Sequence, residues 1–211
     1  MSKAFWQEIW QQESQGFHEG KPNDFLVRHA ERFNDASRIL VPLCGRSHDL
    51  RYLAERGHDV TGVELIEDAA RGFFSAQGLA VTERVHEGKL LLESGNLRIF
   101  VSDILAVRPE TFGRFDAVYD RAAAVALPEE IRQQYAQTMQ RLLTPEGAML
   151  LITFVDPERT TGPPFAIDQR GVERMYPGAE ITVIDTRDPT TDAELPPHAM
   201  MQKAFWIRDL H

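Results

Sequence analysis

The stretch from Arg38 to Glu67, RILVPLCGRSHDLRYLAERGHDVTGVELIE, constrains the fold more than any other part of the chain. It reads as strand, turn, helix and strand. Ile39, Leu40 and Val41 are apolar on both faces, as in a strand buried between helices, and Pro42 ends the run because it brings no donor to a central ladder. Gly45 turns the chain, Ser47 is placed to cap a helix, and Leu50, Leu53 and Ala54 fall at helical spacing. Gly57 stands where a left-handed helix end is wanted, and a second strand, Val60 to Val63, leads into Glu64. Glu64 follows Gly45 by 19 positions. That is about the roughly 20-residue separation at which an acid at the end of a second strand reaches a ribose diol.

The same turn discriminates between ligands. A pyrophosphate needs G-x-G-x-x-G, so that backbone can approach it closely, and here the second and third glycine positions hold Ser47 and Leu50. S-Adenosylmethionine carries adenosine without phosphate. It keeps the need for a glycine turn and a ribose acid and drops the other two glycines. A methyl donor therefore fits better than NAD; the alternative is a unit of the same shape that holds no cofactor.

With 211 residues and 43% hydrophobic content, one domain is expected, a helical cap over residues 1–35 and an α/β core over 36–211. No run approaches the roughly 18 apolar residues of a membrane span, and the first 20 residues show no signal-type run, so a cytoplasmic location is expected. Cys44 is the single cysteine and the seven histidines show no zinc-ligand spacing, so neither a disulfide nor a metal is expected. A net charge of -9 opposes binding to a phosphate backbone. The partners expected are a small molecule and no nucleic acid, with the chain a monomer.

In KAFWQEIW, Phe5, Trp6, Ile9 and Trp10 share one side of a short helix, either packed for stability alone or forming an aromatic lid beside a sulfonium. Gly16-Phe17-His18 breaks that helix, and Phe25, His29, Ala30 and Phe33 trace a second apolar stripe. A helix is expected from Glu67 to Gln77. A hairpin is expected from Lys89–Glu93 and Leu97–Val101, ending at Asp103, which either meets an adenine with Ile104 or merely caps a helix. The strand Phe115 to Tyr119 delivers Asp120 and Arg121 to the crevice at the strands' carboxyl ends, where the acceptor belongs, unless the pair only ties two loops. Tyr-Asp-Arg lacks the prolines of amine-methylating sites, and a fixed guanidinium suits an anionic acceptor such as a thiolate. Further on, a helix begins at Pro128 and ends at Pro145-Glu146-Gly147, and Ala148 to Phe154 is an apolar strand. In the loop DPERTTGPPF, Phe165 offers a stacking surface; Val172 to Tyr176 reads as a short helix, and Ile181–Ile184 with Ala204–Ile207 as a closing hairpin around the loop 186–199, a lid or a disordered link.

These blocks together resemble the thiopurine S-methyltransferase family over nearly the whole length: FWxxxW followed by GFH, VPLCGRSxDLxxLAxxGHxVxGVEL, FDAVYDRAAAVALP, and GPPF. The resemblance implies a class I methyltransferase fold, a doubly wound, mostly parallel seven-stranded sheet with an antiparallel last strand beneath an N-terminal helical lid. It implies methyl transfer from S-adenosylmethionine to aromatic and heterocyclic thiols, with S-adenosylhomocysteine as the product. It also implies that Trp10, Leu43, Glu64 and Arg121 bind the donor, that Asp103 and Ile104 meet the adenine, and that Phe17 stands between donor and acceptor. Trp6 and Gly45 complete the expected donor site; Phe17, Arg121 and Phe165 form the expected acceptor side. If a catalytic side chain is used, His18 and Arg121 are the candidates. Arg46 stands where lysine is common in that family. Methylation of selenium or tellurium species, and donor binding without catalysis, are the alternative functions.

Overall fold

The computed structural model describes residues 3–11, 20–156, 161–192 and 199–211. After α1 (Lys3–Gln11) and α2 (Asp24–Arg28), a turn of 3-10 helix at Ala30–Phe33 leads into β1 (Arg38–Pro42), α3 (His48–Glu55), β2 (Asp59–Glu64) and α4 (Glu67–Ala76). Then come β3 (Thr82–His86), β4 (Lys89–Ser94), β5 (Leu97–Val101), the short α5 (Pro109–Phe112) and β6 (Phe115–Arg121). The chain closes with α6 (Glu129–Leu142), β7 (Leu143–Val155), α7 (Gln169–Met175), β8 (Glu180–Arg187) and β9 (Met201–Arg208).

Among the described residues, all the strands join one sheet of nine, in the order β3-β4-β5-β2-β1-β6-β7-β9-β8. The parallel centre β5-β2-β1-β6-β7, with β9 antiparallel between β7 and β8, accounts for the seven expected strands. Beyond those seven, β4 is the expected first arm of the hairpin with β5, and β3, which was not expected, continues that edge as a further antiparallel strand. β3 is TERVH, exposed along most of its length, so it lacks the apolar run that marks the central strands.

Alternation along β1 splits the core in two, because successive side chains point to opposite faces. Ile39 and Val41 join Leu50, Leu53, Phe73 and Phe74 of α3 and α4, together with Phe25, Leu26 and Phe33. Leu40 joins Tyr135, Met139 and Leu142 of α6 and Val172 and Met175 of α7. Phe73 and Phe74 are essentially solvent-free, each worth about 1.5–3 kcal/mol of burial. The second apolar stripe near the N-terminus is thus part of the main core, while α1 packs separately through Trp6 and Trp10 on Leu65, Ile66 and Ala69.

Local signals hold where the chemistry of the turn is specific. The Ser47 side chain accepts from the Asp49 N–H at 3.2 Å, and Gly57 and Gly78 take positive φ just beyond α3 and α4. Both boundaries read from proline around α6 differ from expectation. Pro128 is the residue before α6 and not in its first turn, and Pro145-Glu146-Gly147 lies within the irregular start of β7, where the pairing with β6 shifts register.

Candidate active site

Because β2, β1 and β6 run parallel and adjacent, their carboxyl ends deliver Glu64, the turn Leu43–Ser47 and Arg121 to one side of the sheet. A cavity of about 610 Å³ opens there. It falls in the 300–1,000 Å³ range usual for small-molecule sites. Trp6, Trp10, Leu43, Gly45, Glu64, Asp103, Ile104 and Arg121 all line it.

The wall that carries Glu64 is fixed by backbone. Glu64 is buried; its Oε2 accepts from the Gly45 N–H at 2.9 Å and its Oε1 from the Ile66 N–H at 2.8 Å. Each oxygen keeps a lone pair for a further donor, so the carboxylate is oriented without being consumed. Burial raises the Glu64 pKa, against the backbone amides of Ile66, Gly45 and Leu65, which favour the charged form. Gly45 has φ +52, and a Cβ on it would stand 2.7 Å from Cζ2 of Trp10. Both facts require glycine: the left-handed backbone suits no side chain well, and the indole occupies the space. Leu43 (φ 45) and Ala122 (φ 68) are also left-handed without being glycine, and both line the cavity. Strain of this kind gathers at ligand sites, where the surroundings over-determine the backbone.

Asp103 serves in two ways: it lines the cavity, and its Oδ1 accepts from the Leu105 N–H at 2.9 Å, capping the turn Ile104–Ala106. Cys44 is buried in the glycine turn, its Sγ pressed on Gly62 of β2. Desolvation, with the Glu64 charge second, pushes its thiol pKa well up, which suits a small packed side chain and not a nucleophile.

The other half of the cavity is apolar: Ala122, Val125, Ala126, Leu127, Ile131, Phe154, Pro163 and Pro164. Met200 and Gln202 complete it, because β9 is antiparallel and its first residues therefore lie at the carboxyl ends of its neighbours, Gln202 opposite Phe154. Neither residue stood out in the sequence, where only the period of β9 was readable. Phe165 is not among the lining residues. Its N–H is bonded to the Val125 carbonyl at 2.7 Å and its ring faces the Arg132 guanidinium 5.5 Å away, leaving Pro163 and Pro164 to form the wall.

Asp120 departs from the expected place in the crevice. It is fully buried, with Oδ1 accepting from the Ala123 and Ala124 N–H groups and Oδ2 from the Tyr135 hydroxyl. It braces the turn after β6 and leaves the cavity to Arg121. A second buried acid, Asp49, accepts from the Asn23 N–H at 2.7 Å and the Tyr119 hydroxyl at 2.9 Å, tying α2, α3 and β6 together. Desolvation raises its pKa, and the nearby Arg121 charge opposes that rise. Phe17 and His18 lie outside the described residues. Among the described residues no cluster of His, Cys, Asp or Glu could hold a metal, and no helix is long and apolar enough to cross a membrane.

The residues present fit S-adenosylmethionine: a turn too tight for a side chain, an oriented carboxylate at the end of β2, and an aromatic wall from α1. The strand order and this crevice together define a class I S-adenosylmethionine-dependent methyltransferase. A 1,6-didemethyltoxoflavin-N1-methyltransferase from Burkholderia thailandensis, solved with S-adenosylhomocysteine, superposes with a TM-score of 0.60 at 18% identity, over 97% of this chain and 82% of that one. The sequence relatives are more specific. The thiopurine S-methyltransferase of Methylococcus capsulatus is 36% identical over 217 aligned positions, covering 99% of this chain and 98% of that protein. That of Shewanella putrefaciens is 35% identical over 99% of this chain and 96% of its own length. The profile of the family described as Thiopurine S-methyltransferase (TPMT) matches residues 1–206, and the chain belongs to that family.

Proposed function

We propose that the chain methylates the sulfur of ionised aromatic or heterocyclic thiols, of which thiopurines are one kind, at the apolar half of the cavity. The supporting observation is that Arg121, the bearer of a guanidinium, lines the same cavity as the apolar residues Val125, Leu127, Ile131, Phe154, Pro163 and Pro164. A flat ring buries its faces on such walls, and a guanidinium answers its negative charge. An inorganic oxyanion would find few hydrogen-bond donors there.

In this reading Trp6, Trp10, Leu43, Gly45, Glu64, Asp103 and Ile104 hold the donor, and Arg121 lies where donor and acceptor meet. When bound, the donor supplies a methyl group made electrophilic by its sulfonium. The chain's own contribution is to orient and to dry. Glu64 fixes the ribose end, Asp103 and Ile104 the base, and the α1 aromatics exclude water from a reaction in which opposite charges are neutralised. Alignment of reactants is worth up to about 7–11 kcal/mol in favourable systems, so no strong base is required. Aromatic thiols ionise readily near neutral pH, and among the described lining residues the carboxylates, Glu64 and Asp103, belong to the donor half.

The test is formation of S-adenosylhomocysteine by purified protein given S-adenosylmethionine and, separately, an aromatic thiol, a thiopurine, selenite, tellurite and an aromatic amine. Turnover on the thiols, with kcat/KM lowered tenfold or more in Arg121→Ala, is expected. Turnover confined to selenite or tellurite would replace the thiol with a metalloid acceptor, and donor binding with no turnover on any of them would leave a binding protein.

A further inference from the structure

Arg46 sits in a socket closed from two directions. Its guanidinium carbon lies 5.2 Å from the centroid of the Trp10 ring, and its Nε is buried with no hydrogen-bond partner among the described residues. On the other side is α4, where a Cβ on Gly72 would stand 2.5 Å from Nε and 2.8 Å from Cζ. Gly72 lies within a regular helix, where glycine weakens the helix relative to alanine, and it does not have a positive φ. Its missing side chain leaves room for the Arg46 tip.

A guanidinium with a buried, unpaired N–H is not placed there by hydrogen bonding, so the attraction left to explain its position is to the indole face. Trp10 is held on its other contact by Gly45, and Trp6, Ile9 and Trp10 are the α1 residues that wall the cavity. We infer that Arg46 is a positioning residue that keeps α1 closed over the donor end of the cavity, and that Gly72 is the seat that allows it. The inference rests on reading that end as the donor site.

The test uses the full chain and four variants: Gly72→Ala, Arg46→Ala, Arg46→Lys and the double variant of Gly72→Ala with Arg46→Ala. S-Adenosylhomocysteine affinity is measured by calorimetry, with thermal melts and donor KM and kcat alongside. Gly72→Ala is expected to melt no lower than wild type, since alanine suits the helix and a flexible tip yields cheaply. The same variant should bind S-adenosylhomocysteine about three- to tenfold more weakly, with donor KM raised and kcat kept. Arg46→Lys should recover most of what Arg46→Ala loses, and the double variant should bind no worse than Arg46→Ala, as expected for two residues acting through one contact. Wild-type affinity in Gly72→Ala, or a loss of affinity matched by a loss of melting temperature, would overturn the inference. Failure of the wild-type protein itself to bind S-adenosylhomocysteine would instead strike the donor-site reading beneath it.

Discussion

The Tyr135 hydroxyl donates to Asp120 Oδ2 across 2.6 Å, with both residues fully buried and Asp120 next in sequence to Arg121. Burial outweighs this bond and two amide bonds, and lifts the Asp120 pKa from an ordinary 3.8 to about 6. A carboxyl group whose pKa is raised on folding stabilises the native state fully below its unfolded pKa and loses that contribution as pH rises through the folded value. The Asp120 contribution is on the order of 3 kcal/mol, gained between neutral pH and about pH 4. Thermal melts of wild type and Asp120→Asn across that range should therefore diverge, wild type gaining relative to the variant as pH falls through about 6. Parallel profiles would show that Asp120 is ionised alike in both states.

The two tyrosines near Asp120 should respond oppositely to loss of a hydroxyl. Tyr135→Phe removes the donor of a buried acid and should cost about 1–3 kcal/mol in urea unfolding. The Tyr176 hydroxyl is buried with no hydrogen-bond partner among the described residues, so Tyr176→Phe should be neutral or slightly stabilising. Equal destabilisation by both would mean that Tyr176 is bonded in solution.

Gly45→Ala combines a left-handed backbone with a methyl group placed 2.7 Å from the buried Trp10 ring. The backbone penalty alone is about 1–2 kcal/mol, and the indole is not a flexible tip that can swing aside. A lower melting temperature and a red-shifted tryptophan emission, reporting displacement of α1, are expected together. Unchanged emission would place Trp10 elsewhere in solution.

For Glu64 the comparison of two variants is informative. Glu64→Ala should weaken S-adenosylhomocysteine tenfold or more, since a hydrogen bond to a charged group contributes about 1.5–3 kcal/mol. Glu64→Gln should not restore binding, because its amide nitrogen would face either the Gly45 or the Ile66 N–H, both donors. Calorimetric affinities of the two variants settle the matter, and full affinity in Glu64→Gln would mean that the negative charge and its two amide bonds are dispensable.

Much of the Glu64 side of the cavity was legible because it depends on local chemistry: a glycine turn, a serine cap and an acid at a fixed distance along one strand-turn-helix-strand unit. The Arg121 side was less so. Asp120 and Arg121 are neighbours in sequence, yet strand alternation sends one into the core and the other to the cavity, and only the register against Tyr135 and the Ala123 and Ala124 amides decides which. Asp49 did not stand out in the sequence, because its bonds come from Asn23 and Tyr119, separated from it by 26 and 70 positions. Met200 and Gln202 enter the wall through the antiparallel insertion of β9, a long-range pairing that no local pattern announces.

The central position of β1 also separates two flanks of the cavity. Glu64 and its turn stand on the β2 side, while Arg121, the prolines after β7 and the start of β9 stand on the β6 side. On the proposed assignment, substitutions on the second side other than at Arg121, where donor and acceptor meet, change the acceptor wall and leave the turn at Gly45 and Glu64 as it is. On that assignment the two tasks of the site are carried by opposite flanks of one strand, so either flank can be altered with the other left in place.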